Sequence, residues 1–284
     1  MMRHSMFFGT RLMLSLAALL LLLPILVTFL YSFFSPEEIK AYMATRNNFT
    51  AGALMEIRLS PQRASLMQYY QVLITDQSIL HYFINSAMYA VAIIAGQLLV
   101  LPLLAYGLSC FRFRGRDAIA FGIVLLMVLP FQVTMVPNVL TLRALNLLNT
   151  RWSVILPMAA APFSAFLLRQ YMLNIPKELI EAGQIDSAGP LRCFLQIVLP
   201  MSRPVIGTMA ALSFAECWNL VEQPLTYLTL RTDLHPLSVV FGQLTGKMTG
   251  IEFAGATLFI LPSLFVYLIF QDDIMEGIQI LDMK

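Results

Sequence analysis

Six stretches of this sequence are long and apolar enough to cross a membrane, and they constrain the fold more than any other feature. A helix needs about 20 mostly apolar residues for one crossing. The first stretch contains no charged residue, whereas the fifth is interrupted by Glu216 and Glu222. We therefore predict an all-α integral membrane protein whose single transmembrane domain covers 1–284. The predicted spans are about 12–34, 82–108, 118–140, 152–168, 205–227 and 253–270.

The composition supports a membrane protein and excludes several other classes. Hydrophobic residues make up 58% of the chain and charged residues 12%, whereas soluble domains have about 45–50% and about 25%. The chain therefore has too little polar surface for a water-soluble enzyme and too much apolar content for disorder. A net charge of +2 without a basic stripe does not suit a nucleic-acid binder. Cys110, Cys193 and Cys217 are far apart and indicate neither a zinc site nor a disulfide framework.

Arginines in the short loops indicate how the spans are oriented, because cytoplasmic loops are enriched in lysine and arginine. The loop between spans two and three and the segment before span one lie on the same side of a protein with six spans. We therefore expect both termini, including the tail 271–284, in the cytoplasm. The arginines that decide this orientation are Arg3, Arg11, Arg112, Arg114 and Arg116.

The N-terminal region combines an apolar run with a polar loop. Basic residues precede the first span, as in a signal peptide, but its apolar run is about twice the 7–15 residues of a signal sequence and no Ala-x-Ala cleavage site follows. We interpret it as a retained signal anchor. The external loop 35–80 is the longest polar stretch and is too short for an independent domain. A cap or docking surface and a passive loop both remain open for it.

The loop between spans four and five, 174–204, carries the most information. Proline suits the first position of a helix, so we expect a helix to open at Pro176. Gly189 and Pro190 break that helix, and a second short helix is expected to follow and to stop before Pro200. Two short helices joined by a sharp turn form a knob whose small residues allow another protein to approach closely. An amphipathic loop lying on the membrane is the alternative that the residues leave open.

This loop resembles the EAA loop of ABC importer permeases. The family pattern reads Glu-Ala-Ala-x-x-Asp-Gly-Ala, followed by a Phe and then by Ile-x-Leu-Pro. Gly183 stands where the family has its second Ala, and Ser187 stands where it has Gly. Both substitutes are small, so close packing is expected to survive. The other matching positions are Glu181, Ala182, Asp186, Ala188, Phe194, Ile197, Leu199 and Pro200.

A second stretch is similar to a signature of carbohydrate-type permeases. Trp218-Asn219 and Pro224-Leu225 in span five look like the Trp-Asn…Pro-Leu pattern of the subfamily that includes the smaller permease of the maltose importer. The length of the chain and its six spans also fit. The resemblance covers most of the chain in layout and is sharp at 178–204 and 218–225.

The resemblance implies the type I ABC importer permease fold and a transport subunit rather than an enzyme. It implies that this chain and a second homologous permease form the pathway for ATP-driven uptake of a sugar or oligosaccharide across the bacterial inner membrane. Two copies of an ABC ATPase use ATP and Mg, an external solute-binding protein delivers the solute, and this chain itself binds no cofactor. The EAA loop is then the coupling helix that contacts the ATPase. The implied coupling residues are Glu181, Ala182, Gly183, Asp186, Ser187, Ala188 and Gly189.

Polar residues inside the predicted spans are candidates for contact with the solute, because a carboxylate in a span is costly and usually functional. Glu216, Asn219 and Glu222 follow each other at intervals of three and share a face of one continuous helix. Hydrogen bonding between helices is the alternative for these residues, and a place at the membrane surface is the alternative for Glu222. The candidate pathway residues are Glu216, Trp218, Asn219, Glu222 and Gln132, with Gln97 and Asn138 as weaker candidates.

Two patterns are similar to motifs for other chemistry but depart from them. In Gly242–Met248 the glycines are one residue too close for a phosphate-binding loop, and Met248 replaces the Ser or Thr that binds Mg²⁺. Asp272, Asp273 and Glu276 resemble an acidic metal motif for diphosphate chemistry, but no second ligand set accompanies them. A membrane enzyme for lipid diphosphates and a secondary transporter stay as alternative functions; the latter predicts inverted repeats, which are not evident.

Overall fold

The computed structural model describes residues 2–47, 60–75, 77–244 and 251–282, and over these ranges the chain is helical with no strand. Short helical turns lie at Met67–Tyr70, Gln71–Thr75 and Thr232–Leu234. The longer helices are α1 (Met2–Tyr31), α2 (Pro36–Asn47), α3 (Gln77–Cys110), α4 (Arg116–Val128), α5 (Phe131–Ala144), α6 (Trp152–Ala159), α7 (Pro162–Leu173), α8 (Lys177–Ile185), α9 (Pro190–Met201), α10 (Arg203–Trp218), α11 (Glu222–Tyr227), α12 (Leu237–Leu244) and α13 (Glu252–Asp282).

The predicted all-α membrane architecture is confirmed. Among the described residues, four helical segments are long and apolar enough to cross a membrane, and two bent helix pairs raise the number to six if each pair is one span. The four segments are Met13–Tyr31, Ser78–Cys110, Trp152–Leu173 and Glu252–Met275. The bent pairs are Arg116–Val128 with Phe131–Ala144, at 110°, and Pro190–Met201 with Arg203–Trp218, at 72°.

The chain divides into two compact units, one comprising 1–81 with 241–262 and the other 82–240 with 263–284. In the first unit, Tyr31, Phe34 and Ile39 form a small buried cluster against which Phe253 packs. A capping box starts α2, because the Ser35 hydroxyl accepts from the Glu38 backbone N–H and the Glu38 carboxylate accepts from the Ser35 N–H. The described parts of the predicted external loop 35–80 are largely helical, since they contain α2, the two short turns Met67–Tyr70 and Gln71–Thr75, and the start of α3.

Gln68 holds this first unit together through a fully buried side chain. Its amide nitrogen donates to the carbonyls of Tyr31 and Phe34 at 2.8 and 2.9 Å, and its amide oxygen accepts from the Ala254 N–H at 3.2 Å. The first span, the chain after it and the start of α13 are thus joined at a single residue.

Replacing Gln68 with methionine is expected to destabilise the protein by about 2–3 kcal/mol, because three buried hydrogen bonds are lost and only the Tyr31 carbonyl keeps another donor, the Phe34 N–H. The midpoint of thermal unfolding in detergent should fall by at least about 5 °C. Gln62→Met is the matched control, since the side chain of Gln62 is exposed. Equal midpoints for the two variants would contradict the role given to Gln68.

In the second unit, proline explains why two predicted spans are not single helices. The expected third span, 118–140, breaks between α4 and α5 because Pro130 has no N–H and forces Leu129 into an extended conformation (ψ 123°). The fourth span is interrupted at Pro162, which leaves the carbonyl of Met158 without its helical donor. The buried amide of Gln97 donates to that carbonyl at 2.8 Å, so Gln97, a weaker pathway candidate, joins two helices.

The predicted fifth span, 205–227, is also divided. Helix α10 ends at Trp218, where the Asn219 side chain donates to the carbonyl of Ala215 at 2.8 Å and caps the last turn. Glu222 starts the separate helix α11. The expectation that Glu216, Asn219 and Glu222 share one continuous helical face is therefore wrong.

Near its N-terminal end, α3 anchors the segment 228–237. The Asn85 amide donates to the carbonyls of Asp233 and His235 at 2.9 and 3.1 Å, and the buried Tyr89 hydroxyl donates to the carbonyl of Leu234 at 3.0 Å. The opposite end of α3, near Cys110, lies beside the loop between spans four and five. Asn85 and Cys110 are about 38 Å apart along α3 at 1.5 Å per residue.

Candidate functional site

The loop 174–204 forms the predicted knob from two helical arms, α8 and α9. Helix α8 ends in a Schellman motif, in which the Ala188 N–H donates to the carbonyl of Gly183 at 2.9 Å and the Ser187 N–H donates to that of Gln184 at 3.0 Å. Gly189 then caps the start of α9 in an extended conformation. The sharp turn therefore comes from Ser187, with φ of 61°, and not from Gly189, whose φ is −67°.

Ser187 occupies a left-handed conformation that costs a residue with a side chain about 1 kcal/mol more than it costs glycine. We expect Ser187→Gly to stabilise the turn by about that amount and to slow hydrogen exchange at the amides of residues 187 and 188 about fivefold. Gly189→Ala is the control and should change exchange little, because nothing lies within 4 Å of an added Cβ. Faster exchange in Ser187→Gly would contradict this account of the turn.

The second arm continues further than the sequence suggested. A helix ending before Pro200 was expected, but α9 runs to Met201. Its middle, Phe194–Val198, is a π-helical turn. The wider π turn makes room for the Pro200 ring, which would otherwise clash with the preceding turn of an α-helix. The first arm begins at Lys177, one residue after the expected Pro176.

The two arms pack directly on each other at Gly183. A Cβ built on Gly183 would lie 2.7 Å from Ile197 Cδ1 and 3.4 Å from Cys193 Sγ. Cys193 and Phe194 are buried beneath this contact. Gly183 therefore faces the second arm, and its contact with the ATPase stays a prediction.

Short or acidic side chains and one large apolar side chain form the surface of the knob. Glu181, Ala182, Asp186, Ser187 and Gly189 are exposed, and Ala188 is half-buried. Ile185 is 83% exposed, and the sequence reasoning missed it. The available signal was its position, because an apolar residue there falls opposite the helix face formed by Leu179 and Gly183.

The pathway candidates meet only in part. The Gln132 amide in α5 donates to the Glu222 carboxylate at the start of α11 at 3.2 Å, and both side chains are exposed. The structure thus joins two candidates that are 90 positions apart in sequence. Glu216 and Asn219 lie exposed near the end of α10, and Asn219 caps that helix.

Trp218 has a packing role in this structure. Its side chain is 2% exposed. The indole stacks on Phe214 with ring centroids 5.4 Å apart, and Phe83 meets it edge-on at 5.4 Å. The ring therefore presents no open face on which a solute could stack.

The two motif-like patterns can be placed as follows. Residues 245–248 of the glycine-containing pattern lie outside the described residues. Asp273 packs against α10, where its backbone carbonyl accepts from the Thr208 hydroxyl at 2.8 Å. Within the described part of the chain, no three His, Cys, Asp or Glu residues are grouped as metal ligands.

Comparison with known proteins identifies the family. The family described as "Binding-protein-dependent transport system inner membrane component" matches residues 99–272, which is more than half of the chain. The chain belongs to this family. This permease is thus the membrane-spanning subunit of an ABC importer and not an enzyme, as the EAA resemblance implied.

Curated relatives and a solved structure agree with this assignment. The permease is 31% identical to arabinooligosaccharides transport system permease protein AraQ of Halalkalibacterium halodurans, over 70% of this chain and 72% of that protein. It is 32% identical to diacetylchitobiose uptake system permease protein NgcG of Streptomyces coelicolor, over 69% and 67%. A crystal structure of a bacterial ABC transporter involved in alginate import contains a chain that matches with a TM-score of 0.78 and 25% identity, over 95% of this chain and 97% of that one. The permease has the type I importer fold.

Proposed function

We propose that the permease imports a sugar or oligosaccharide that an external solute-binding protein delivers, and that a second homologous permease completes the pathway. Relatives named for arabinooligosaccharides and diacetylchitobiose support this class of solute. The Trp218-Asn219 and Pro224-Leu225 signature supports it independently. Two copies of an ABC ATPase power the transport and hold ATP and Mg, so this chain itself binds no cofactor.

The knob is the observation that carries this proposal, because its exposed surface can bind a partner protein such as the ATPase. Glu181, Ala182, Asp186 and Ser187 supply the small and acidic exterior, and Ile185 supplies an apolar anchor. Gly183 lets the two arms pack closely and its carbonyl accepts from the Ala188 N–H, and Gly189 begins the second arm. We assign the contact with the ATPase to this surface, which lies in the cytoplasm together with both termini.

The mechanism follows from how the knob is attached. Closure of the ATPase dimer on ATP displaces the knob, and α9 passes the displacement to α10 through the bend at Ser202. The spans then shift between inward-open and outward-open arrangements. ATP acts by favouring one of two existing states, since a ligand shifts an equilibrium only by its different affinity for each state.

Solute contact within this subunit is assigned to the exposed polar groups around α11. Gln132 and Glu222 form a hydrogen-bonded pair, and Asn219 and Glu216 lie at the adjoining end of α10. Amides and carboxylates suit the hydroxyls of a sugar. Trp218 is enclosed by Phe83 and Phe214, and it reaches the solute only if these rings move away.

Reconstitution tests the proposed function. The permease, co-expressed with its partner permease and ATPase, is placed in lipid vesicles with the solute-binding protein. We expect uptake that needs both ATP inside and the binding protein outside. Uptake driven by an ion gradient without an ATPase would overturn the proposal in favour of a secondary transporter. Loss of lipid-diphosphate turnover on Asp272→Asn or Asp273→Asn would overturn it in favour of a membrane enzyme.

A further inference from the structure

We infer that Tyr106 and Tyr171 are positioning residues that hold the second arm of the knob, α9, at both of its ends. Through them, displacement of the arm is passed to α3 and α7 as well as to α10. This inference rests on the proposed function, in which the knob receives the stroke of the ATPase. It adds two contacts, one with α3 and one with α7, through which movement of the knob displaces the membrane spans.

The first hydrogen bond is at the start of the arm. Tyr106, in the last turns of α3, donates its hydroxyl to the carbonyl of Pro190 at 3.1 Å. Its ring is buried and lies 5.1 Å from that of Phe194 in the arm. Phe111 meets the same ring edge-on at 5.2 Å. The hydroxyl is therefore aimed at one carbonyl by aromatic contacts on two sides.

The second hydrogen bond is at the end of the arm. Tyr171, in the last turn of α7, donates its hydroxyl to the carbonyl of Met201 at 2.9 Å. Met201 is the last residue before the 72° bend into α10. Carbonyls in the last turn of a helix have no donor within that helix. Tyr171 supplies a donor at the place where the chain changes direction.

Apolar packing brings the same elements together but does not fix their positions along the arm. Phe194 and Val198 of α9 lie in one buried cluster with Leu101 of α3, Leu168 of α7 and Met209 of α10. Apolar attraction has no preferred direction, so packed helices can slide. A hydrogen bond is lost beyond a few tenths of an ångström. The two phenol groups therefore prevent the arm from sliding past α3 and α7 when it is pushed.

The test removes each hydroxyl and keeps each ring. Tyr106→Phe, Tyr171→Phe and the double variant are assembled with the ATPase, the second permease and the binding protein in vesicles. The readout is the number of ATP molecules hydrolysed for each solute molecule imported. We expect this ratio to rise about fivefold in each single variant, as for the loss of one hydrogen bond, and further in the double variant. ATP hydrolysis itself should continue.

Tyr89→Phe is the matched control. It removes a buried hydroxyl from the same helix, α3, and the same kind of tyrosine-to-carbonyl bond. A general loss of stability would change the ratio in Tyr89→Phe as much as in Tyr106→Phe, and that result would overturn the inference. So would wild-type ratios in the double variant. Failure of the proposed function would be distinct, since the unmodified complex would then show no ATP-dependent uptake at all.

Discussion

The Ile185→Glu variant is expected to lose ATP-driven uptake almost completely and to release the ATPase from the membrane complex. Ile185 is 83% exposed at the tip of the knob, and burying such a side chain at a contact contributes about 2–3 kcal/mol. Glutamate loses that contribution and adds an unpaired charge that must be desolvated, which costs several kcal/mol more. Association with the ATPase should weaken by at least about a hundredfold, as measured by co-purification over a range of ATPase concentrations.

Leu230→Glu is the control for Ile185→Glu. Leu230 is 81% exposed and lies in the segment that packs near the N-terminal end of α3, away from the knob. This variant should retain the ATPase. Equal loss of the ATPase in the two variants, or wild-type uptake by Ile185→Glu, would show that the tip of the knob is not the contact.

Gly207→Val is expected to destabilise the permease by about 2–3 kcal/mol, because α10 and α13 touch at this residue. A Cβ on Gly207 would lie 2.9 Å from the Cβ of Asp273. The neighbouring Thr208 hydroxyl donates to the carbonyl of Asp273 at 2.8 Å. The helices must separate to admit the side chain, and that hydrogen bond is then lost. Thermal unfolding and the amount of protein in the membrane measure the effect.

Two further variants isolate the cause of the Gly207 effect. Asp273→Ala removes the carboxylate that an added side chain would also meet, so it should recover part of the stability of Gly207→Val. Gly107→Ala has nothing within 4 Å of its Cβ and should stabilise α3 slightly, since alanine favours a helix. If Gly107→Ala and Gly207→Val unfold at the same temperature, close helix contact is not what Gly207 provides.

The sequence predicts the parts of the fold that depend on local patterns. Apolar runs identify the spans because the length of each run can be counted in the sequence and compared with the about 20 residues that one crossing needs. The knob is predictable because proline and small residues mark its two arms and its turn. The bend at Pro130 was missed because the apolar run continues through it, and length alone then suggests one helix. The end of α10 was missed for the same reason, since Asn219 and Glu222 were counted within one span.

The candidate site is less predictable because it depends on contacts between distant residues. The sequence suggests that Trp218 can contact the solute, but Phe83 and Phe214 enclose its ring. The pairing of Gln132 with Glu222 joins helices whose separation in space no local pattern reports. Gly183 was placed on the outside of the knob because its small size suggests close approach. The structure shows that Gly183 also lies against Ile197, since an added Cβ would be 2.7 Å from Ile197 Cδ1.

Site-specific photo-crosslinking from the knob tests the central claim most directly. A photoreactive amino acid is placed at position 182 or 185 in the assembled complex, with position 230 as the control. We predict that both knob positions capture the ATPase, with a yield that changes when ATP is added, and that position 230 does not. Complexes that import solute normally while neither knob position captures the ATPase would contradict the account.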